Sequence, residues 1–431
     1  MNKELYTSYN ILKKVYLEGA FAGAELNKLS KVFKDEMNTA LVTNIVYGVI
    51  EKDIYLDYVI SQFVKGKTDE TIKLILKIGA FVKENIASIP NFACVNELVE
   101  ITKKYANKYA SGFVNATLKN IYQSQVTLPS DNDLLQYLSV RYSYPKWIIE
   151  KLLITFGKEF AEGYLNEQLT ELTHIRVVKE LDFFIAELEK CNITLYKSSY
   201  LPNTFYVDYE RLVSEKHLEK HFVVQGLPSI LAGLSVDIQP KNRVLDLCSA
   251  PGGKAVLLAQ TESTATVTAN DIYPHKIQLI KKYADKYGIK NIKTSIHDAT
   301  TFNKKWQDYF DAVLCDVPCS NTGIASKKPD ILLNKTLEHL QELVSLQTRI
   351  LENAANYVKA GGTLVYSTCS ILKEENTNVV ENFLRNNRNF TLQPVNTQGI
   401  EVIKTHEMCE FYPNISKTEG FFIAKMTKKV E

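Results

Sequence analysis

The chain lacks the paired Cys-x-x-Cys units and clustered histidines that a zinc site needs. Cys315 and Cys319 alone cannot close a tetrahedral site, so no metal is expected. The seven cysteines, at 94, 191, 248, 315, 319, 369 and 409, are scattered and odd in number. That argues against a disulfide framework and for a reducing, cytoplasmic compartment. No apolar run approaches the roughly 20 residues of a membrane span, so no membrane partner is expected. The start, Met1-Asn-Lys-Glu-Leu5, has no basic stretch followed by an apolar one, so it does not read as a signal peptide. Internal repeats are absent, as is the Gly-x-Gly-x-x-Gly fingerprint, which weighs against NAD or FAD.

What is present is enough chain, 431 residues, for two or three domains. Hydrophobic content of 45% with 23% charged residues is ordinary for a globular protein, and a net charge of +2 neither demands nor excludes a nucleic-acid partner. Residues 1–128 read as an all-helical domain. No proline precedes Pro90, and Leu41, Val42, Ile45, Val46 and Val49 recur at helical spacing, as do Leu56, Val59, Ile60 and Phe63. From Ile101 to Ser130 there is no Asp or Glu, yet Lys103, Lys104, Lys108 and Lys119 stand among tyrosines. A solvated helix face and a phosphate-facing RNA patch both fit that run. Pro129 and Ser130-Asp-Asn-Asp133 mark a boundary, and 129–225 reads as a small α+β module in which Arg141 and Arg176 are either structural or RNA-contacting.

From Phe222 onward strands and helices alternate, the pattern of a doubly wound parallel sheet, giving a domain over 226–431. Expected strands are Arg243–Cys248, Thr266–Asp271, Ile292–His297, Asp311–Cys315 and Gly362–Cys369, with a helical run from Leu332 to Val358 and an edge strand at Gly420–Met426. Ligands bind beyond the carboxyl ends of such strands. There stand Ser249-Ala-Pro-Gly-Gly-Lys254, Asp271, Asp298, Asp316 with Cys319, and Cys369. A single Asp after a strand commonly caps a helix; acids after three successive strands are harder to read that way. The Pro-Gly-Gly turn lets backbone approach a ligand, and helix-start amides suit a carboxylate as well as a phosphate. Asp271 is placed to accept from ribose hydroxyls. An amino acid joined to a nucleoside fits these features: S-adenosylmethionine. On the residues alone, Asp316 and Cys319 after one strand suggest covalent chemistry with Cys319 as attacker.

Ile89-Pro-Asn-Phe-Ala-Cys-Val-Asn-Glu97 and Gly112-Phe-Val-Asn-Ala-Thr-Leu-Lys119 resemble a NusB-type RNA-binding domain. Asp246-Leu-Cys-Ser-Ala-Pro-Gly-Gly-Lys254, Asp316-Val-Pro-Cys-Ser-Asn-Thr-Gly323 and Tyr366-Ser-Thr-Cys-Ser370 resemble the motif set of the RNA 5-methylcytosine methyltransferases. With the helical region, nearly the whole chain is similar to the RsmB (Sun/Fmu) family of bacterial 16S rRNA methyltransferases. The resemblance implies a NusB-like helical domain, a small α+β middle module and a class I, Rossmann-like α/β methyltransferase domain. It implies S-adenosylmethionine held by Cys248, Ser249, Ala250, Pro251, Gly252, Gly253, Lys254, Asp271, Asp298 and Asp316. It also implies 16S rRNA as partner, Cys369 as nucleophile, Cys319 assisting release and Asp316 on the cytosine ring nitrogen; a monomer is expected.

Two thiols answer a chemical need, because carbon 5 of cytosine is too weak a nucleophile to attack a sulfonium methyl group unless a thiolate first adds to carbon 6. A base must then remove the carbon 5 proton. The other cysteines, Cys94, Cys191, Cys315 and Cys409, read as inert packing. Asn321 departs from the family, where glycine is usual, as do Ala325-Ser-Lys-Lys328 and Gln225-Gly-Leu-Pro-Ser229. The same chemistry on tRNA or another rRNA site, a non-catalytic NusB-like RNA-binding factor, and a DNA cytosine methyltransferase with a Pro-Cys nucleophile are the alternatives.

Overall fold

The computed structural model describes residues 3–32, 37–333 and 335–430, the side chains of 30–32 excepted. Met1 and Asn2, Asn334 within the expected helical run, and Glu431 at the expected end of the last domain lie outside them. The chain forms two compact units, Met1–Asn166 with Lys327–Lys335, and Glu167–Ser326 with Thr336–Glu431.

The first unit is helical. Its third helix, Thr39–Glu51, starts where Asn38 Oδ1 accepts from Leu41 N at 3.0 Å. Val42, Ile45, Val46 and Val49 form one fully buried face of it, as their spacing predicts. A Cβ built on Gly48 would lie 2.0 Å from the Phe81 ring, so this helix and Glu70–Asn85 meet where only hydrogen fits. Gly48→Val is expected to cost about 2–3 kcal/mol by overpacking, read as a lowered thermal midpoint. Of the four expected lysines, all exposed, Lys103 pairs with Glu100 at 2.6 Å and Lys104 donates to Tyr6 OH at 2.7 Å. Lys108 and Lys119 have no ion pair among the described residues.

Compactness divides the middle segment after Asn166. Helices Leu134–Tyr142, Lys146–Phe156 and Lys158–Asn166 join the first unit, and Ser143 Oγ accepts there from Ile54 N at 2.9 Å. The strands that follow join the second. They are β1 (Thr173–Val177), β2 (Tyr196–Lys197), β3 (Thr204–Val207) and β4 (Phe222–Val224), an antiparallel sheet in the order β2-β3-β1-β4. Arg176 on β1 is only 4% exposed, and it donates to Gln225 Oε1 at 3.3 Å and Gln260 Oε1 at 2.8 Å. Its role is structural, so the RNA-contact reading is withdrawn for Arg176. Arg141, by contrast, is exposed and lies over the Tyr137 and Tyr142 rings.

The large sheet comprises β5 (Arg243–Asp246), β6 (Thr266–Asp271), β7 (Ile292–Ile296), β8 (Phe310–Asp316), β9 (Val358–Thr368), β10 (Phe390–Gln393), β11 (Ile403–Thr405), β12 (Met408–Phe411) and β13 (Phe421–Lys428). Its order is β11-β12-β13-β9-β8-β5-β6-β7, with β10 beside β13. β5 to β9 are mutually parallel, as expected, whereas β10 to β13 add an antiparallel flank, so the sheet is mixed. The expected edge strand at Gly420–Met426 is a correction: β13 is interior, paired with β9 on one side and with β12 and β10 on the other. Phe422, Ile423, Ala424 and Met426 are fully buried, and an apolar run broken only by Lys425 and covered on both faces belongs inside a sheet rather than at its rim. Among the described residues no helix is long and apolar enough to cross a membrane.

Candidate active site

The carboxyl ends of β5, β6, β8 and β9 bring the sequence-predicted residues together. β5 ends at Asp246, and the chain turns through Cys248–Gly252 into the helix Gly253–Thr261. Gly252 has φ +111°, and a Cβ there would stand 3.3 Å from the Ile280 backbone. A glycine is therefore required twice over at this corner. Asn270 on β6 ties the neighbouring strand ends, its Nδ2 donating to Leu247 O at 3.0 Å and His297 O at 2.9 Å.

Asp246 is fully buried, and neither of its carboxylate oxygens nor the Ser249 hydroxyl has a hydrogen-bond partner among the described residues. Burial pushes the Asp246 carboxyl up to about 7, against the pull of the nearby Ser249 hydroxyl. Burying unpaired polar groups is costly, so this corner is poised to receive a polar ligand. Asp271, 7% exposed, accepts from Ala250 N at 3.4 Å and Tyr273 N at 3.3 Å. Asp316 accepts from Lys254 Nζ at 2.7 Å and Ser367 Oγ at 2.8 Å. Burial works against the Lys254 ammonium, yet the Asp316 carboxylate beside it holds its pKa above the ordinary lysine value. Asp246, Asp271, Asp316 and Lys254 thus act on one another across a single crevice. Burial also pushes the Cys248 thiol upward, with the same three carboxylates adding to the effect.

Asp298 stands apart. Its Oδ1 accepts from Thr300 N at 2.9 Å and Thr300 Oγ1 at 2.7 Å, bonds that hold its carboxyl below the usual range. Through Oδ1 it closes a turn after β7.

The thiols come from neighbouring strands. β8 and β9 pair in parallel with Cys315 opposite Tyr366 and Asp316 opposite Ser367. The loops that follow bring Cys319 Sγ and Cys369 Sγ to 3.1 Å. Cys319 is 7% exposed and Cys369 half-buried. The Cys319 thiol is raised well above its ordinary pKa by the hydrogen bond with Cys369, and by burial. Cys94, Cys315 and Cys409 lie in apolar cores, as expected, and burial pushes all three thiols upward.

Sequence reasoning missed the group that joins these loops. Glu375 is fully buried; its Oε1 accepts from Ser320 N at 2.8 Å and Gln347 Nε2 at 2.9 Å, and its Oε2 from Ser320 Oγ and Ser370 Oγ at 2.5 Å each. One carboxylate thus binds the residue after each thiol. Gly323 N donates to Cys369 O at 2.9 Å, and a Cβ on Gly323 would fall 2.0 Å from Gly420 O, so a glycine closes the same junction.

Residues 234–427 match the family model described as 16S rRNA methyltransferase RsmB/F, and residues 5–123 match the NusB family. The chain thus carries an RsmB/F-type methyltransferase domain and a NusB-family domain. It is 28% identical over 419 residues to the "Probable ribosomal RNA small subunit methyltransferase B" of Bacillus subtilis, covering 91% of each chain. The "Ribosomal RNA small subunit methyltransferase B" of Xylella fastidiosa is 27% identical over 384 residues, covering 87% of this chain and 88% of that one. The fold is shared with the crystal structure of PH0851, at a TM-score of 0.84 and 24% identity over 98% of this chain and 99% of that one. The chain is an S-adenosylmethionine-dependent rRNA methyltransferase with a NusB-family helical domain preceding, in sequence, its RsmB/F-type mixed-sheet α/β domain.

Proposed function

We propose that the enzyme methylates carbon 5 of a cytosine in 16S rRNA through a transient bond between Cys369 and carbon 6. The observation that carries this reading is the meeting of two thiols, from adjacent parallel strands, at 3.1 Å beside Asp316. A nucleophile for carbon 6 and a second thiol for release are the groups this reaction needs, within reach of one flipped-out base. The names of the relatives point to the small-subunit RNA.

The cofactor fits the residues present. The Asp246 carboxylate and Ser249 hydroxyl, the Gly252-Gly253 helix start and the Asp271 carboxylate offer acceptors and donors for an amino acid and a ribose. In this reading Cys248 to Lys254, Asp271, Asp298 and Asp316 hold S-adenosylmethionine, which supplies an electrophilic methyl group. Cys369 gives up its thiol proton and bonds to carbon 6, making carbon 5 electron-rich. Carbon 5 takes the methyl group, the carbon 5 proton passes by way of Cys319 to water, and the carbon 6–sulfur bond breaks with its electron pair returning to Cys369. Cys319 assists that release. Asp316, steadied by Lys254 and Ser367, faces the cytosine ring nitrogen. Residues 1–128 and 129–225 grip RNA, with exposed Lys108 and Lys119 on backbone phosphates. The seven unpaired cysteines suit the cytoplasm, where the enzyme acts as a monomer.

Incubating purified protein with 16S rRNA and methyl-labelled S-adenosylmethionine, then digesting the RNA to nucleosides, tests this. Label in 5-methylcytidine is expected. Label in another nucleoside, or in tRNA alone, would overturn the substrate and position assigned here.

A further inference from the structure

The two thiol loops fold against one short segment, Lys373-Glu-Glu-Asn376, that the reaction scheme leaves unused. Glu375 ends the single turn Lys373–Glu375, and Asn376 leads into the helix Thr377–Asn386. Tyr366 on β9 ties the segment to the sheet, its hydroxyl donating to Glu375 O at 2.6 Å. Glu375 is fully buried and Asn376 is 1% exposed. Buried carboxylates and amides persist where their hydrogen bonds are met, so the partners show what each side chain holds.

The partners of Glu375 lie chiefly around Cys319. Its carboxylate accepts from Ser320 N and Ser320 Oγ, one residue after that thiol. It also accepts from Gln347 Nε2, on the helix Leu337–Tyr357, and the same nitrogen donates to Pro318 O at 2.9 Å, one residue before it. Cys319 is therefore held on both sides. The partners of the Asn376 side chain lie around Cys369. Its Oδ1 accepts from Thr368 Oγ1 at 2.5 Å, one residue before that thiol, and its Nδ2 donates to Ser370 O at 2.9 Å, one residue after. Ser370 N donates to Thr368 Oγ1 at 3.2 Å and closes this second clamp. Ser370 Oγ, donating to Glu375 Oε2, joins the two.

We propose that Glu375 and Asn376 are positioning residues that splint one thiol loop each, Glu375 with Gln347 aiming Cys319 and Asn376 aiming Cys369. Misplacing a reacting group by about 1 Å can cost 10²-fold in rate, so two neighbouring residues set two separate steps. This deepens the two-thiol reading and rests on it for the identity of those steps. Loosening one clamp mimics, more weakly, the loss of the thiol it holds.

The test compares Gln347→Leu, which frees Pro318 O, with Thr368→Val, which removes the hydroxyl bound by Asn376 at little change of shape. Both are made in the full-length protein, on RNA that the wild type methylates, beside Cys319→Ala and Cys369→Ala. The readouts are methyl transfer in the first turnover and the fraction of RNA left covalently bound after denaturation. Gln347→Leu is expected to keep the first turnover, accumulate adduct and lose about 10-fold in later turnovers. Thr368→Val is expected to slow the first turnover about 10-fold without accumulating adduct. Ser320→Ala, a smaller change in the first clamp, should follow Gln347→Leu, and Thr368→Ser, which keeps the hydroxyl, should restore the first turnover. A general loosening of the fold would move both readouts together in every variant. That pattern, or each clamp variant following the cysteine it does not hold, overturns the proposal. If the two cysteine variants exchange behaviours and the clamp variants exchange with them, the splint stands and the assignment of roles to the thiols falls instead.

Discussion

Replacing Cys319 with alanine is expected to leave the enzyme covalently attached to its RNA. With Cys369 intact, addition to carbon 6 and methyl transfer still proceed, but the group assisting release is gone. A band of protein plus RNA, stable to denaturing electrophoresis and collapsed by nuclease, should accumulate with S-adenosylmethionine present. Turnover should fall by about 10²-fold or more, the usual scale for loss of a positioned proton-transfer group. Cys369→Ala should instead give neither adduct nor product, a loss of about 10⁴-fold or greater in methylation rate. The two thiols are 3.1 Å apart and share one environment, so opposite outcomes cannot be attributed to general damage. An adduct in Cys369→Ala and none in Cys319→Ala would mean that the roles are reversed.

The second large effect is expected at Asp246. Its carboxylate is fully buried with no partner among the described residues, and burial raises its pKa from 3.8 to about 7. A carboxyl raised on folding contributes stability that is complete below its unfolded pKa and lost as pH rises through the folded one. The ligand-free enzyme should therefore lose stability between about pH 4 and about pH 7, by at most roughly 4 kcal/mol from this group. Asp246→Asn removes that slope and should raise the thermal midpoint at pH 8 relative to the wild type. The same change should weaken S-adenosylmethionine binding by about 10- to 100-fold in calorimetry, the range for losing a charged hydrogen-bond partner in a buried site. Unchanged affinity would remove Asp246 from the cofactor site; an unchanged pH slope would mean that its burial is compensated by groups other than those described.

Much of this site could be read from local pattern. Short apolar runs ending in an acid, such as Arg243-Val-Leu-Asp246 and Thr266–Asp271, became β5 and β6 with the acids at their carboxyl ends. The periodic face of the helix Thr39–Glu51 became core. Local pattern failed where tertiary context decides. Glu375 sits in the run Lys373-Glu-Glu375, which reads as a solvated stretch, yet three hydroxyl, amide and backbone donors from two other segments hold it in the interior. Asp246 was visible as part of a motif, but its complete burial depends on how the neighbouring strands pack. Arg176 lies on an alternating strand whose outward or inward face cannot be told from alternation alone; Gln225 and Gln260 settle it. The run Gly420–Met426 ends the chain in sequence and so reads as a rim, while its apolar residues are covered by strands from both sides.

The claim on which the rest depends is that this enzyme places a methyl group on carbon 5 of a 16S rRNA cytosine. Bisulfite sequencing of 16S rRNA from cells with and without the protein tests it most directly. One cytosine should resist conversion in the first sample and convert in the second, with resistance restored by the wild-type chain but not by Cys369→Ala. Identical conversion patterns in the two samples would contradict the account.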